Sequence, residues 1–365
     1  MELLKIQSVS GAHMIVDGRE MLNFTGCSYL GICSEPALIE AGVEALRRYG
    51  SLGQIPRHYG ALPPPYFEVE EAAARFFQSE AAMFFSQGYL FASVALQGLV
   101  DRYDLIFVDE GAHYAVKAAA RAAEKPIVFY RHSDAEDLAR KLRENLRPGQ
   151  RPVVATDGMF PTWGNVPPLD EYWQLVQEYD GWIVVDESHS LGVFGENGRG
   201  IVEKFGVPRE RVIAGGSLAK AFCAYGAIAL GTKECIDALW KSPPARGAAG
   251  GMTAAAAMSA AAIKYVEEHP ELLVRLRQII AYIKGEMNAM GIPVGESESP
   301  NVTFSLGTPE DMRRIQQALL EENIYIMYSS YIGAPAGGVL RLSLFADHSE
   351  EDIDRFLAAL KRHMP

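Results

Sequence analysis

The run WIVVDESHSLGVFG (182–195) opens on four apolar residues and turns polar at Asp186. A continuous apolar run of this kind suits a strand covered on both faces, as in a parallel sheet flanked by helices. Asp186 then falls at the carboxyl end of its strand, the edge at which such sheets bind ligands. Working outward, short apolar runs recur at 82–85, 105–108, 126–130, 153–156, 212–214 and 227–230. Helical patterns at 88–100, 113–123, 135–145 and 169–179 fill the gaps between them. Alternation of this sort predicts an α/β fold, a doubly wound domain with a seven-stranded, mostly parallel sheet.

The flanks have a different rhythm. A small hairpin is expected over 13–16 and 21–24, turned at Asp17-Gly18, followed by a helix over 36–49 that starts at a proline. The stretch GSLGQIPRHYGALPPP (50–65) is too rich in Gly and Pro for either regular element. An irregular segment of that length points to function. Beyond Gly250 a long helical region, 252–290 with a break near Pro270, leads into runs at 301–305, 325–328 and 340–344, with helices at 309–322 and from Glu350. The expected organisation is an N-terminal segment (1–49) joining a small domain, a large domain over 50–265, and a small α+β domain over 266–365.

Composition narrows the function. The 365 residues are 48% hydrophobic and 22% charged, an ordinary globular balance. The formal charge is −12, from 34 basic and 46 acidic side chains, which argues against a nucleic-acid or anionic-membrane binder. It leaves room for a local phosphate site built from backbone amides at a helix N-terminus. Four cysteines (Cys27, Cys33, Cys223 and Cys235) are too few for a disulfide framework, and the absence of ligand spacing predicts no metal centre. The start lacks a signal-peptide stretch and the alanine-rich run 250–263 reads as a buried helix, so a cytoplasmic protein is expected.

In AGGSLAKAFCAYGA (214–227), Lys220 stands among small and apolar residues. A lysine amine in a low-dielectric site is a usable nucleophile toward an aldehyde, and an aspartate nearby can keep a pyridine nitrogen protonated. Taken singly, Asp186 reads equally as a helix N-cap and Lys220 as a surface lysine lying along apolar groups. The neighbours add to the pair. In FFSQGYLFA (84–92) a strand runs through a glycine turn into a helix, so the amides of Gly88 and Tyr89 point at an anion; Ser217 adds a hydroxyl. His113, in VDEGAHYAVKAAARAA (108–123), sits at another strand's carboxyl end, either to stack on a planar cofactor or to cap the following helix.

With these motifs in view, the sequence resembles the α-oxoamine synthase family of fold-type I pyridoxal-phosphate enzymes, within the class I/II aminotransferase superfamily. The resemblance runs nearly end to end through NFTGCSYLG (23–31), FFSQGY, DEGAH, TDGMF (156–160), DESHSLGVFGENGRG (186–200), GGSLAK and VLRLSLFADHSEEDIDRFL (339–357). The family's glycine-rich segment has a looser counterpart between Gly50 and Gly60. By that resemblance Lys220 forms a Schiff base with the cofactor and Asp186 pairs with its pyridine nitrogen. His189 contacts the ring hydroxyl, His113 stacks on the ring, and Ser217 with the amides of Gly88 and Tyr89 anchors the phosphate. Arg341 matches the arginine that grips an amino acid's carboxylate, a task suited to its planar fork. The bland reading of Arg341 is a strand residue facing water.

The resemblance implies pyridoxal 5′-phosphate as cofactor and a cytoplasmic homodimer whose active sites lie at the subunit interface. It implies decarboxylative condensation of an amino acid with an acyl thioester, carried by coenzyme A or a carrier protein. An aminotransferase is the alternative, since both reactions use the same core residues. Some positions depart from the family. Cys27 stands where Asn helps hold the substrate carboxylate, and a thiol is a weak donor. Asp157 replaces Glu, Pro161 replaces Ser, and ARGAAGGMTAAAA (245–257) replaces a Ser/Thr-rich segment, leaving Thr253 as the residue to reach a partner's phosphate.

Overall fold

The computed structural model describes residues 4–51, 60–248 and 250–365. Most of the irregular glycine-rich stretch between Gly50 and Gly60 therefore lies outside the described residues. Thirteen strands are seen among them: β1 (His13–Val16), β2 (Arg19–Asn23), β3 (Ala81–Phe85), β4 (Leu105–Asp109), β5 (Ile127–Tyr130), β6 (Pro152–Asp157), β7 (Trp182–Asp186), β8 (Val212–Ser217), β9 (Ala227–Gly231), β10 (Asn301–Phe304), β11 (Ile324–Tyr325), β12 (Met327–Ser329) and β13 (Val339–Ser343).

Seven of them form one sheet in the order β3-β9-β8-β7-β6-β4-β5. Only β9 runs against its neighbours; β4 to β8 are parallel. The fold-type I α/β architecture expected from the sequence is present. The reason lies in the strands themselves. Along β7, Ile183 and Val185 point into one buried cluster with Phe107 and Val154, while Val184 points into another with Ile106, Val153 and Ala155. Successive side chains feed opposite cores, so both faces must be apolar. Helices Phe91–Gly98 and Tyr114–Ala122 cover one face. Helices Pro65–Phe76 and Leu169–Gln177 cover the other.

The alanine-rich run is the helix Thr253–Glu268, packed between helices Pro36–Tyr49 and Pro65–Phe76. Small side chains permit the close approach: a Cβ on Gly42 would stand 2.8 Å from Met258. No described helix is long and apolar enough to cross a membrane.

The hairpin β1–β2 closes through Asp17 and Gly18, both with positive φ (46° and 77°), as a two-residue turn between twisted strands demands. β2 also pairs in parallel with β11, far along the chain. One expectation needs correcting. The run 325–328 is not one strand: the chain steps at the buried Ile326, leaving β11 on β2 and β12 beside β13 in the sheet β10-β13-β12. A run of four apolar or aromatic residues carries no mark of such a change of sheet.

Candidate active site

A cavity of about 220 Å³ opens at the carboxyl edge of the large sheet, lined by Gly88, Tyr89, His113, Ala115, Asp157, Asp186, Ser188, His189, Ser217 and Lys220. All but Ala115, in the first turn of helix Tyr114–Ala122, come from the end of a strand or the turn after it, namely β3, β4, β6, β7 and β8. The sheet thus gathers seven of the expected residues onto one surface. Cys27, Thr253 and Arg341 are not among the lining residues.

Asp186 is buried at the end of β7, with the Ser188 amide donating to its Oδ1 at 3.0 Å. The Ser188 hydroxyl in turn accepts from the Ser217 amide at 2.8 Å, so the turns after β7 and β8 are stitched together. Gly216 makes this possible. Its φ is 149°, and a Cβ there would stand 2.4 Å from the Ser188 Oγ and 2.9 Å from Asp186 Oδ1. Gly88 plays the same part on the other side, since its Cβ would fall 2.5 Å from the Cβ of Ser217. The helical turn Gly88–Leu90 that leads into Phe91–Gly98 therefore presents its first amides beside the Ser217 hydroxyl. First-turn amides have no intrahelical acceptor, which suits them to an anion.

His113 caps a helix and lines the cavity. Its Nδ1 accepts from the Ala115 amide at 3.1 Å, capping helix Tyr114–Ala122, while its ring lines the cavity. With Nδ1 accepting, the ring hydrogen is on Nε2, which reaches the Tyr331 hydroxyl at 2.6 Å. Burial, with help from the Lys220 charge and against the pull of Asp186, lowers its pKa and favours this neutral form. Beneath it, Asp157 Oδ2 accepts from the His113 amide at 2.6 Å.

His189 is half-buried at the cavity wall, and burial followed by the charges of Lys220 and Arg341 holds its imidazole well below its usual range. Its Nδ1 is 2.8 Å from the hydroxyl of Tyr29. Arg341, on β13, is buried rather than facing water, and its guanidinium donates to Asn301 Oδ1 at 2.9 Å. Cys27 is half-buried beside the Tyr29 hydroxyl. Thr253 is buried at the start of its helix next to Tyr66, whose hydroxyl donates to Gly251 O at 2.5 Å.

Sequence reasoning did not name Asp157, Tyr29, Asn301 or Tyr331 as site residues. Asp157 carried the same signal as Asp186, an acid closing an apolar strand. The other three carried none, because only tertiary packing brings them in. Among the described residues no acidic, His and Cys cluster could hold a metal ion.

The cavity suits a phosphorylated pyridine aldehyde: an amine for the aldehyde, a carboxylate for the ring nitrogen, and amides with a hydroxyl for the phosphate, where a glycine is required for the approach. Fold and cavity together define a fold-type I pyridoxal-phosphate-dependent transferase. The chain belongs to the aminotransferase class I and II family, whose model matches residues 21–360. It is similar to 8-amino-7-oxononanoate synthase of Symbiobacterium thermophilum, 31% identical over 362 residues, covering 99% of this chain and 92% of that protein. In fold it resembles serine palmitoyltransferase from S. paucimobilis, solved with a pyridoxal-phosphate–myriocin adduct, with a TM-score of 0.92, 24% identity, and coverage of 99% and 92%. The 8-amino-7-oxononanoate synthase of Francisella tularensis is likewise similar in fold, with a TM-score of 0.78, 24% identity, and coverage of 94% and 97%.

Proposed function

We infer that the protein is a pyridoxal-phosphate-dependent synthase that condenses an amino acid with an acyl thioester and releases the amino acid's carboxylate as carbon dioxide. The observation that carries this reading is the single cavity holding Lys220, Asp186 and His189 at the carboxyl edge of the sheet. The likeness to named synthases along nearly the whole chain selects this reaction within the class. When bound, the cofactor supplies an aldehyde that captures amines and a ring that accepts the electron pair left as a bond to the amino acid's Cα breaks.

The protein's residues do the rest. Lys220 holds the cofactor through its amine and, once displaced by substrate, moves the proton at Cα. Asp186, oriented by the Ser188 amide, keeps the ring nitrogen protonated with its Oδ2. His189 donates to the ring hydroxyl, the neutral His113 stacks against the ring, and Gly88, Tyr89 and Ser217 hold the phosphate. Arg341 leaves Asn301 to grip the substrate carboxylate. Residues 50–265 thus hold the cofactor, and residues 266–365 with 1–49 supply the substrate end. Thr253 serves the site of a second copy in a cytoplasmic homodimer.

The test has two stages. Purified holoenzyme should be yellow, and borohydride reduction followed by peptide mapping should place the cofactor on Lys220. A panel of amino acids with acyl thioesters should then release thiol only when both substrates are present. Conversion of the cofactor to its amine form by an amino acid alone, with release of a keto acid, establishes the second reading, an aminotransferase. Cys27 at the position of the family's asparagine favours that alternative, because a thiol is a weak donor to a carboxylate.

A further inference from the structure

The hydroxyl of Tyr29 stands between two functional groups drawn from distant parts of the chain. Tyr29 is fully buried, with its oxygen 2.8 Å from His189 Nδ1 and 3.3 Å from Asn301 Oδ1. Asn301 has one workable orientation. Its Nδ2 donates to Pro161 O at 2.8 Å, and Arg341, which can only donate, lies 2.9 Å from Oδ1. The phenol has one hydrogen to give, and of its two acceptors the His189 nitrogen at 2.8 Å is better placed than the Asn301 oxygen at 3.3 Å, which lies beyond the usual reach of an O–H donor. Burial foremost, and then Cys27, raise the Tyr29 phenol well above its ordinary range, so it keeps that hydrogen. A neutral imidazole that accepts at Nδ1 carries its own hydrogen on Nε2, where it can donate to a ligand oxygen.

We propose that Tyr29 is a positioning residue for the reaction: its hydroxyl fixes His189 as the Nε2–H tautomer. The role of His189 toward the ring hydroxyl rests on the proposed function; the tautomer does not.

The test begins on cofactor-free protein labelled with ¹⁵N at histidine. The His189 nitrogens should show a hydrogen on Nε2 and a bare, hydrogen-bonded Nδ1. In Tyr29→Phe they should move toward the averaged signals of an unconstrained imidazole. With cofactor restored, Tyr29→Phe should lower kcat by about tenfold, the worth of one net hydrogen bond, with little change in the amino acid's KM. A hydrogen on Nδ1 in the wild-type protein overturns the proposal without any substitution. Unchanged His189 signals in Tyr29→Phe also overturn it, as does a KM rise that tracks a fall in thermal stability. Failure of the synthase reading would show separately, as absent turnover with the nitrogen spectrum as expected.

Discussion

Asp157 and Asp186 end neighbouring parallel strands and are paired in register, so two carboxyl groups meet at one edge of the cavity. Two buried charges of the same sign do not coexist cheaply. Burial, and then the charge of Asp186, push the Asp157 carboxyl well above the usual carboxylate range, against the pull of the His113 amide. Asp157 is thereby held toward its neutral form. Asp157→Asn should keep the cofactor affinity of the wild-type protein, because an amide oxygen still accepts from His113. Asp186→Asn should lower kcat by about 10²–10³-fold, the scale of losing one preorganised electrostatic partner. Equilibrium titration with pyridoxal phosphate and steady-state rates check both. Asp186 and Lys220 were legible because local pattern marks them. Asp157 ends an equally apolar strand, but the register that makes it a partner is not a local property. Tyr29 and Asn301 are 272 residues apart, and no spacing rule spans that distance.

At the level of elements, the sequence was clearest where punctuation is strong. Helix Pro36–Tyr49 begins on its proline and ends against Gly50, and both bounds were readable. The step at Ile326 was not readable, since it depends on which sheet each half meets. The turn after β7 shows how a motif becomes a scaffold. Glu187, beside Asp186, is fully buried and turns away from strand β7 to accept from the Ser190 hydroxyl and the Ile201 amide, both at 2.7 Å. It thereby holds the start of helix Ile201–Lys204 against the site. Glu187→Ala would orphan those buried donors and should cost about 3 kcal/mol, at 1–3 kcal/mol per unsatisfied group. Denaturant unfolding measures this, and a loss below about 0.5 kcal/mol would refute the account. Across the cavity, Gly88→Ala would drive a Cβ against Ser217 and part the turn from β8. Its expected result is weaker cofactor binding, by about tenfold or more, in a protein that still folds, read by titration with the cofactor.

For the molecule as a whole, the decisive connection is between the two ends of the chain. The Phe24 carbonyl accepts from the Ser343 amide at 2.8 Å, and that of Tyr29 from Ala346 at 2.8 Å. Asp347 Oδ2 takes the Ala12 amide at 2.9 Å. His348, fully buried against the ring of Phe24, accepts from the Phe345 amide at Nδ1 (2.9 Å) and so donates through Nε2 to Asn23 O (3.0 Å). The segment bearing Tyr29 is therefore seated by the C-terminal strands, and His348 must be neutral to accept at Nδ1. Burial lowers its pKa, outweighing the opposing pull of Asp347 and Asp352, the second of which is paired with His13 at 3.0 Å. The unfolded chain binds a proton near the ordinary imidazole value of about 6.5, whereas the folded chain resists it. His348 thus contributes its full stability above that value and loses it as pH falls toward the depressed folded pKa. His348→Asn, which retains an acceptor for Phe345 and a donor for Asn23, removes the titration while keeping the contacts. Thermal midpoints followed from about pH 8 to 5 should fall less steeply in this variant than in the wild-type protein. His113 and His189, also depressed, add to the slope that remains, and the raised carboxyls of Asp157 and Glu187 oppose it. Parallel profiles for the two proteins would mean that the junction between the chain ends does not sense protons through His348.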